Sequence, residues 1–288
     1  MTYQEIIKKI TDELKTAGVP DPETDARFFL EEAAGTDYSH LLMQLRDEVP
    51  DEVSASLEKY IEARKHRIPL QQILGFTEFM GLKFYVNEHV LCPRQDTEVL
   101  IEQILKNDIG GSRVLDLCTG SGCIAVSLAK LGGADVTATD ISEEALTVAA
   151  RNAQENEVDV HFFRGDLYDA LPSDEKYDII VSNPPYIRTQ VIDTLAPEVR
   201  DHEPRIALDG DADGLAFYRR IINDAGTYLN EGGRLYFEIG FDQGKAVSEL
   251  LRNNAYEDIH VIKDYSHNDR VVAAKRRAVV AQVMTNDT

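Results

Sequence analysis

Only three of the 288 residues are cysteine, and Cys92, Cys118 and Cys123 form no CxxC pair. Three thiols cannot all pair with one another, so a reduced, cytosolic compartment fits the chain best. Long apolar runs are also missing. No stretch of 18 apolar residues occurs, and the opening Met1-Thr2-Tyr3-Gln4-Glu5 has neither a basic nor an apolar leader segment. These absences point to a protein that is neither exported nor membrane-spanning. Basic residues are scarce: 30 Lys and Arg stand against 51 Asp and Glu, a formal net charge of −21. Residues 1–75 carry 9 against 15 and residues 76–288 carry 21 against 36, so no basic domain hides behind an acidic one. Binding to nucleic acid draws on phosphate contacts and counterion release. A nucleic-acid substrate is therefore disfavoured, and a protein partner is favoured.

What is present is an ordinary globular composition, 43% hydrophobic and 28% charged, long enough for one large domain or for a domain of roughly 200 residues with a smaller companion. Residues 2–66 read as helices. Thr2 and Glu5 make a capping box ahead of Ile6, Ile7, Ile10 and Leu14. Asp21-Pro22 starts a second helix striped by Ala26, Phe29, Leu30 and Ala33, and Asp51 opens another with Val53, Leu57, Tyr60 and Ile61. Such stripes are core packing, and they predict a small helical bundle. Phe76 to Leu91 suggests a hairpin linking two domains, followed by a helix near 96–107.

Strand-like runs then alternate with helix-length segments: Arg113–Leu117, Asp135–Asp140, Val160–Arg164, Tyr177–Ser182, Arg234–Ile239, His260–Lys263 and Val271–Lys275. Alternation of the first five with helices predicts a parallel, doubly wound α/β sheet. The short loop Asp264–Arg270 predicts an antiparallel hairpin at one end. The expected division is 1–75 helical, 76–92 linker, 93–278 α/β, and a tail at 279–288 with no assigned role.

The segment Asp116-Leu117-Cys118-Thr119-Gly120-Ser121-Gly122 runs from strand through tight turn to helix. Glycine is needed where backbone closely approaches a ligand, which then meets the free N–H groups of the next helix. Asp140 ends the next strand, where a carboxylate accepts both hydroxyls of an adenosine ribose, and Asp166-Leu167 ends the third, beside the position of an adenine ring. Gly120-x-Gly122-x-x-Ala125 also satisfies the dinucleotide fingerprint, which keeps an NAD-dependent dehydrogenase in view. Asp116 argues otherwise: a carboxylate just before the turn repels a pyrophosphate and suits a ligand bearing an ammonium group.

Asn183-Pro184-Pro185-Tyr186 ends the fourth strand at the carboxyl edge of the sheet, where ligands bind in open α/β folds. The two prolines lack N–H groups and hold a rigid extended turn. That turn leaves the Asn183 side-chain oxygen and the Pro184 carbonyl free to accept from a planar NH₂ group, turning its remaining electron pair towards an electrophilic methyl. Tyr186 is expected to pack over the target group. The motif signals methyl transfer to a planar nitrogen without separating Gln from adenine or guanine.

On these motifs the chain resembles the release-factor glutamine N5-methyltransferase family over nearly its whole length. The glycine motif matches Asp116–Gly122, with Cys118 where glycine is usual, and Asn-Pro-Pro-Tyr matches unchanged. Pro69-Leu70-Gln71-Gln72-Ile73-Leu74-Gly75, Pro93-Arg94-Gln95-Asp96-Thr97-Glu98, Glu203-Pro204, Ala207-Leu208, Asp213-Gly214-Leu215 and Tyr218-Arg219 also look like family signatures. The resemblance implies a seven-stranded class I S-adenosylmethionine-dependent methyltransferase sheet behind a helical domain that recognises the release factor. It implies S-adenosyl-L-methionine on Asp116, Cys118, Thr119, Gly120, Ser121, Gly122, Asp140, Asp166, Leu167 and Asn183. The Gln of a Gly-Gly-Gln loop would be held at Asn183, Pro184, Pro185 and Tyr186. Cys118 in place of glycine predicts a less permissive φ at a position that contributes backbone alone.

The alternatives are a nucleic-acid (adenine or guanine) N-methyltransferase, which would need base flipping and a basic channel, the dehydrogenase, and a catalytically inert release-factor-binding module. Intact Asn183 and Asp140 speak against the last. Asp209-Gly210-Asp211-Ala212-Asp213-Gly214 imitates a calcium loop, but its twelfth position is Arg220 rather than Glu. No histidine spacing suits a metal.

Overall fold

The computed structural model describes residues 1–277, so the expected tail at 279–288 lies outside the described residues. The chain opens with five helices: α1 (Tyr3–Thr16), α2 (Pro22–Ala34), α3 (Tyr38–Met43), α4 (Asp51–Lys65) and α5 (Leu70–Leu74). The Thr2/Glu5 capping box forms in both directions, with Glu5 N–H donating to Thr2 Oγ1 at 3.3 Å and Thr2 N–H to Glu5 Oε2 at 2.9 Å. Ile6, Ile10 and Leu14 from α1, Ala26, Phe29 and Leu30 from α2, and Val53, Leu57 and Ile61 from α4 bury one shared apolar core. The stripes read from the sequence thus face each other.

The linking hairpin pairs β1 (Phe76–Phe79) with β2 (Leu82–Tyr85) and is shorter than the expected 76–91. Its two-residue turn, Met80-Gly81, has φ of 52° and 72°, the type I′ geometry whose twist matches the flanking strands. Beyond Tyr85 the chain leaves the ladder, and Val86, Val90 and Cys92 pack instead against Ala145 and Val148.

After α6 (Gln95–Leu105) comes the large sheet, built from β3 (Arg113–Leu117), β4 (Asp135–Asp140), β5 (Val160–Arg164), β6 (Tyr177–Ser182), β7 (Leu229–Glu238), β8 (Tyr256–Lys263) and β9 (Asp269–Arg276). Their spatial order is β5-β4-β3-β6-β7-β9-β8; the first five are mutually parallel, and β9 runs antiparallel to both β7 and β8. The end hairpin is therefore present, with its later strand inserted beside β7. Successive residues alternate between the two layers. Val114, Ile179, Val181 and Tyr236 enter a core with α6 and α7 (Cys123–Gly132), while Leu115, Ile180, Leu235 and Phe237 enter one with α11 (Ala216–Tyr228) and α12 (Gly244–Asn253). A sheet buried on both faces needs such continuous apolar runs.

Three expectations need correction. The connection from β5 to β6 holds no helix, although β3, β4 and β5 are joined through α7 and α8 (Glu143–Glu155). Residues 165–176 instead form tight turns, with Asp169 N–H donating to the Asp166 carbonyl and Leu171 N–H to the Tyr168 carbonyl. Next, β7 and β8 begin earlier than read. Gly232 and Gly233 interrupt the apolar run of β7 without ending the strand, and Asp258 at φ 52° marks a register shift in β8. Finally, Cys118 adopts φ 60°, the left-handed region natural to glycine. Holding an L-residue there costs about 1–2 kcal/mol. The hydrogen bond from Thr119 N–H to the Thr139 carbonyl, 3.0 Å, helps fix that turn across the adjoining strand end.

Candidate active site

Strand order reverses between β3 and β6, because β4 and β5 lie on one side of β3 while β6 and β7 lie on the other. A crevice opens at such a switch point, outside the carboxyl ends of the strands. It is lined by Cys118, Thr119, Gly120 and Ser121 after β3, Asp140 ending β4, Asp166 and Leu167 after β5, and Asn183 and Pro185 after β6. Four of the expected residues, Asp116, Gly122, Pro184 and Tyr186, do not line it.

Asp116 sits beneath the turn and is fully buried. Its Oδ2 accepts from the Thr119 hydroxyl at 2.6 Å, while Oδ1 has no hydrogen-bond partner. Burial, with Asp140 nearby, pushes its carboxyl up to about 7. A buried carboxylate oxygen left unpaired needs an explanation. Gly120, at φ 55°, has open space where a Cβ would stand, whereas a Cβ on Gly122 would come within 2.9 Å of Ala149 Cβ. One glycine faces the cleft and the other lets α7 approach α8.

Asp140 braces the loop: its Oδ2 accepts from Gly120 N–H at 2.8 Å and its Oδ1 from Ser142 N–H at 3.0 Å. Burial raises its pKa against those two bonds. Asp166 pairs with Arg220 of α11 at 2.8 Å, and Leu167, at φ 56°, turns its carbonyl to the Thr139 hydroxyl. Strained backbone at both Cys118 and Leu167 marks this crevice, as it often marks functional sites.

The Asn-Pro-Pro-Tyr turn leaves the sheet after Ser182, whose hydroxyl donates to the Leu117 carbonyl at 2.7 Å. Asn183, which lines the cleft, directs Nδ2 to the hydroxyl oxygen of Thr97 on α6 at 3.5 Å, and among the described residues no donor meets its Oδ1. Among the described residues no backbone N–H donates to the Pro184 carbonyl. Tyr186 departs from expectation. Its ring joins the apolar core on the α11 side, and its hydroxyl donates to Glu238 Oε1 at 3.2 Å.

Several residues of this region escaped the sequence reading. Glu238 ends β7 fully buried, its Oε2 has no hydrogen-bond partner, and burial raises its pKa against the opposing influence of Thr97, Arg270 and Tyr186. A lone carboxylate closing an apolar strand at the carboxyl edge was the available signal. Phe217, Arg220 and Ile206 close the far wall, and His89–Arg94 the near one. Arg94 grips the buried Glu203 carboxylate at 2.8 and 2.9 Å. Among the described residues no group of three or more Asp, Glu, His or Cys is arranged to hold a metal ion.

This topology and crevice are those of a class I methyltransferase. Residues 94–199 match the methyltransferase small domain and residues 5–75 the PrmC N-terminal domain. Release factor glutamine methyltransferase of Fusobacterium nucleatum subsp. nucleatum is 40% identical, over 94% of this chain and 78% of the relative. That of Agrobacterium fabrum is 42% identical, over 91% and 93%, and that of Geobacter sulfurreducens 40%, over 93% and 96%. Solved structures resemble the fold more distantly. A methyltransferase from Pyrococcus furiosus superposes with TM-score 0.53 at 19% identity, over 69% of this chain and 91% of that one. A Thermus thermophilus 16S rRNA N2 G1207 methyltransferase in complex with AdoMet and guanosine gives 0.51 at 17%, over 70% and 50%. The chain belongs to the release factor glutamine methyltransferase family.

Proposed function

We propose that the protein transfers a methyl group from S-adenosyl-L-methionine to the side-chain amide nitrogen, N5, of the Gln in the Gly-Gly-Gln motif of peptide chain release factors. The observation that carries this reading is the pair of acceptors without a donor from the chain, Asn183 Oδ1 and the Pro184 carbonyl, in a turn that borders the cleft, with the unpaired carboxylate oxygen of Asp116 buried beneath the neighbouring turn after β3. Bound S-adenosylmethionine supplies an electrophilic methyl on a sulfonium. Asp116 and the Cys118–Gly122 turn would hold its methionine portion, Asp140 its ribose and Asp166-Leu167 its adenine.

The remaining work falls to the chain's own residues. Asn183 and Pro184 each accept one N–H of the Gln amide, and the Thr97 hydroxyl fixes which way the Asn183 amide points. Pro185, in the cleft wall, keeps the turn rigid. An amide nitrogen is a poor nucleophile, so orientation must carry much of the barrier; well-placed reactants gain roughly 7–11 kcal/mol. As the nitrogen would bond to the methyl carbon, the methyl–sulfonium bond would break with its electron pair leaving on a neutral thioether; the N–H then becomes acidic, and its proton leaves along the hydrogen bond to an acceptor or water.

Residues 1–75 are read as the unit that recognises the release factor, 76–92 as a linker and 93–278 as the catalytic unit. The three cysteines are free, and among the described residues no helix is long and apolar enough to cross a membrane, which agrees with action in a reduced cytosol. A nucleic acid is not favoured as substrate: both parts of the chain are acidic, and the curated relatives are named for release factors.

The test is transfer of labelled methyl to a purified release factor, beside a copy whose Gly-Gly-Gln glutamine is changed to Ala. Label on the first alone is the expected result. Asn183→Ala should cut turnover far more than cofactor affinity; equal losses in both would count against the assignment.

A further inference from the structure

We propose that Gln243 is a positioning residue for methyl transfer: it locks the backbone behind the Asn-Pro-Pro-Tyr turn to the Asp209–Gly214 loop and to the end of β7. The inference rests on the turn being the acceptor site, as argued above.

The prolines create the need. Pro184 and Pro185 have no N–H, so two successive residues of the turn cannot anchor themselves by donating to neighbouring backbone. The chain is anchored before the prolines by the Ser182 hydroxyl on the Leu117 carbonyl, so the Pro184 carbonyl also needs an anchor just beyond it. Gln243, 4% exposed, sits immediately before α12 with its side chain directed there. Its Nε2 donates to the Tyr186 carbonyl at 2.9 Å and to the Gly214 carbonyl at 3.1 Å. Its Oε1 accepts from Gly240 N–H at 2.9 Å and from the Tyr218 hydroxyl at 3.3 Å. A side-chain amide offers two donor hydrogens and two acceptor positions. Both donors and one acceptor position are committed to backbone atoms in separate segments, while the Tyr218 hydroxyl shares its single hydrogen between Gln243 Oε1 and the nearer Glu238 carbonyl at 2.9 Å.

The Asp209–Gly214 loop presses on the same peptide from another side. A Cβ on Gly210 would stand 2.7 Å from Tyr186 Cα, and one on Gly214 would stand 2.4 Å from the Tyr186 oxygen and 2.7 Å from Gln243 Nε2. Gly210 N–H donates to the Ile187 carbonyl at 2.8 Å, and Ile187 N–H to the Leu208 carbonyl at 2.9 Å. Tyr186 and Ile187 are thus clamped between Gln243 and a loop whose glycines admit the contact. The loop that imitates a calcium site is a buttress. Gln243 touches none of the reacting groups; it acts through the Tyr186 peptide on the carbonyl two residues earlier.

The test uses the full-length enzyme and an intact release factor, comparing wild type with Gln243→Glu, Gly210→Ala and Asn183→Ala. Gln243→Glu keeps the shape and the acceptor role but sets a carboxylate against the carbonyls of Tyr186 and Gly214. Because misplacement of about 1 Å can cost on the order of 10²-fold in rate, kcat is expected to fall by roughly ten- to a hundredfold. The KM for release factor and the Kd for S-adenosylmethionine should stay at wild-type values. A role confined to general folding predicts the reverse, with cofactor affinity and Tm lost together and the kcat of the folded fraction kept. Should Gln243→Glu fail to bind cofactor, Gly210→Ala decides, since it displaces the same peptide without touching the Gln243 amide. A fall in kcat at unchanged Kd supports the proposal, and wild-type kcat overturns it. Folded Gln243→Glu with wild-type kcat beside an inactive Asn183→Ala would overturn the positioning role and leave the acceptor site standing. Wild-type kcat in Asn183→Ala would remove the site and this inference together.

Discussion

The hydroxyl of Tyr186 donates to Glu238 Oε1 at 3.2 Å, which ties the last residue of the Asn-Pro-Pro-Tyr turn to the last residue of β7. Burial raises the Glu238 carboxyl above the ordinary range for Glu, and Tyr186 is among the groups that restrain the rise. A folded-state pKa above the unfolded value means that the folded protein binds more protons across that window. Stability therefore falls as pH rises through it.

Tyr186→Phe keeps the ring in its core and removes the donor. The carboxylate then loses the Tyr186 hydrogen bond, and the loss should be about 1–3 kcal/mol where Glu238 is ionised. The gap should shrink towards acid pH, where the carboxyl is neutral in both proteins. Thermal unfolding of the two, followed from the ordinary Glu range upwards in pH, measures it, and a gap that stays constant throughout would show that the hydroxyl does not serve the charge.

Asp116 gives a second dependence with the same sign for stability and the opposite sense for binding. Its folded carboxyl stands at about 7 against an ordinary 3.8, so the unliganded protein should lose stability as pH rises from about 4 to about 7. A ligand ammonium against the unpaired Oδ1 favours the ionised form, so cofactor binding should release a proton below pH 7. Affinity for S-adenosylmethionine should climb with pH and level off above about 7. Asp116→Asn should bind more weakly at neutral pH, with a flatter profile, and be the more stable protein above pH 7 when empty. Calorimetric titration in buffers of different ionisation enthalpy counts the proton directly, and no release at pH 6 would remove Asp116 from the ammonium site.

Much of the architecture was legible because burial on both faces imposes unmistakable apolar runs. Val114-Leu115, Ile179-Ile180-Val181 and Leu235-Tyr236-Phe237 could hardly be anything but central strands. The turn after β3 was legible through its glycines, although Cys118 shows that a backbone position can demand φ 60° without glycine there. Tertiary partners stayed hidden. Gln243 looks like any polar residue opening a helix, and its four bonds depend on segments 57, 29, 25 and 3 residues away. Tyr186 was misread because an aromatic beside an active-site motif suggests stacking, whereas the core behind the turn had room for its ring and a carboxylate for its hydroxyl. The helix expected between β5 and β6 was an inference from regular alternation that tight turns at 165–176 replaced.

Arg64 joins the helical bundle to the segment that follows the acceptor turn. From α4 its Nε donates to Asp25 Oδ2 at 2.6 Å and its guanidinium to Glu198 Oε1 at 2.9 Å, while Arg67 takes both Glu198 oxygens at 2.7 and 2.6 Å. Glu198 lies in α10 (Pro197–Arg200), fourteen residues beyond Pro184. Burial pushes its carboxyl up, but the bonds from Arg67 and Arg64 outweigh this and leave it lowered. Glu198→Ala strands the Arg67 guanidinium and removes one of the two carboxylates that hold Arg64, which keeps Asp25 at 2.6 Å. Leaving a buried charge wholly unpaired costs about 3–5 kcal/mol; because Arg64 keeps Asp25 and Arg67 is partly exposed, the expected loss falls below that range. Because the lowered carboxyl contributes stability only while ionised, the wild-type advantage should be full at neutral pH and fade as pH falls below the ordinary Glu range. If the bundle steers the release factor to the cleft, the same variant should also raise the KM for release factor while leaving the Kd for S-adenosylmethionine unchanged. Wild-type KM in a destabilised variant would confine the ion pairs to holding the fold.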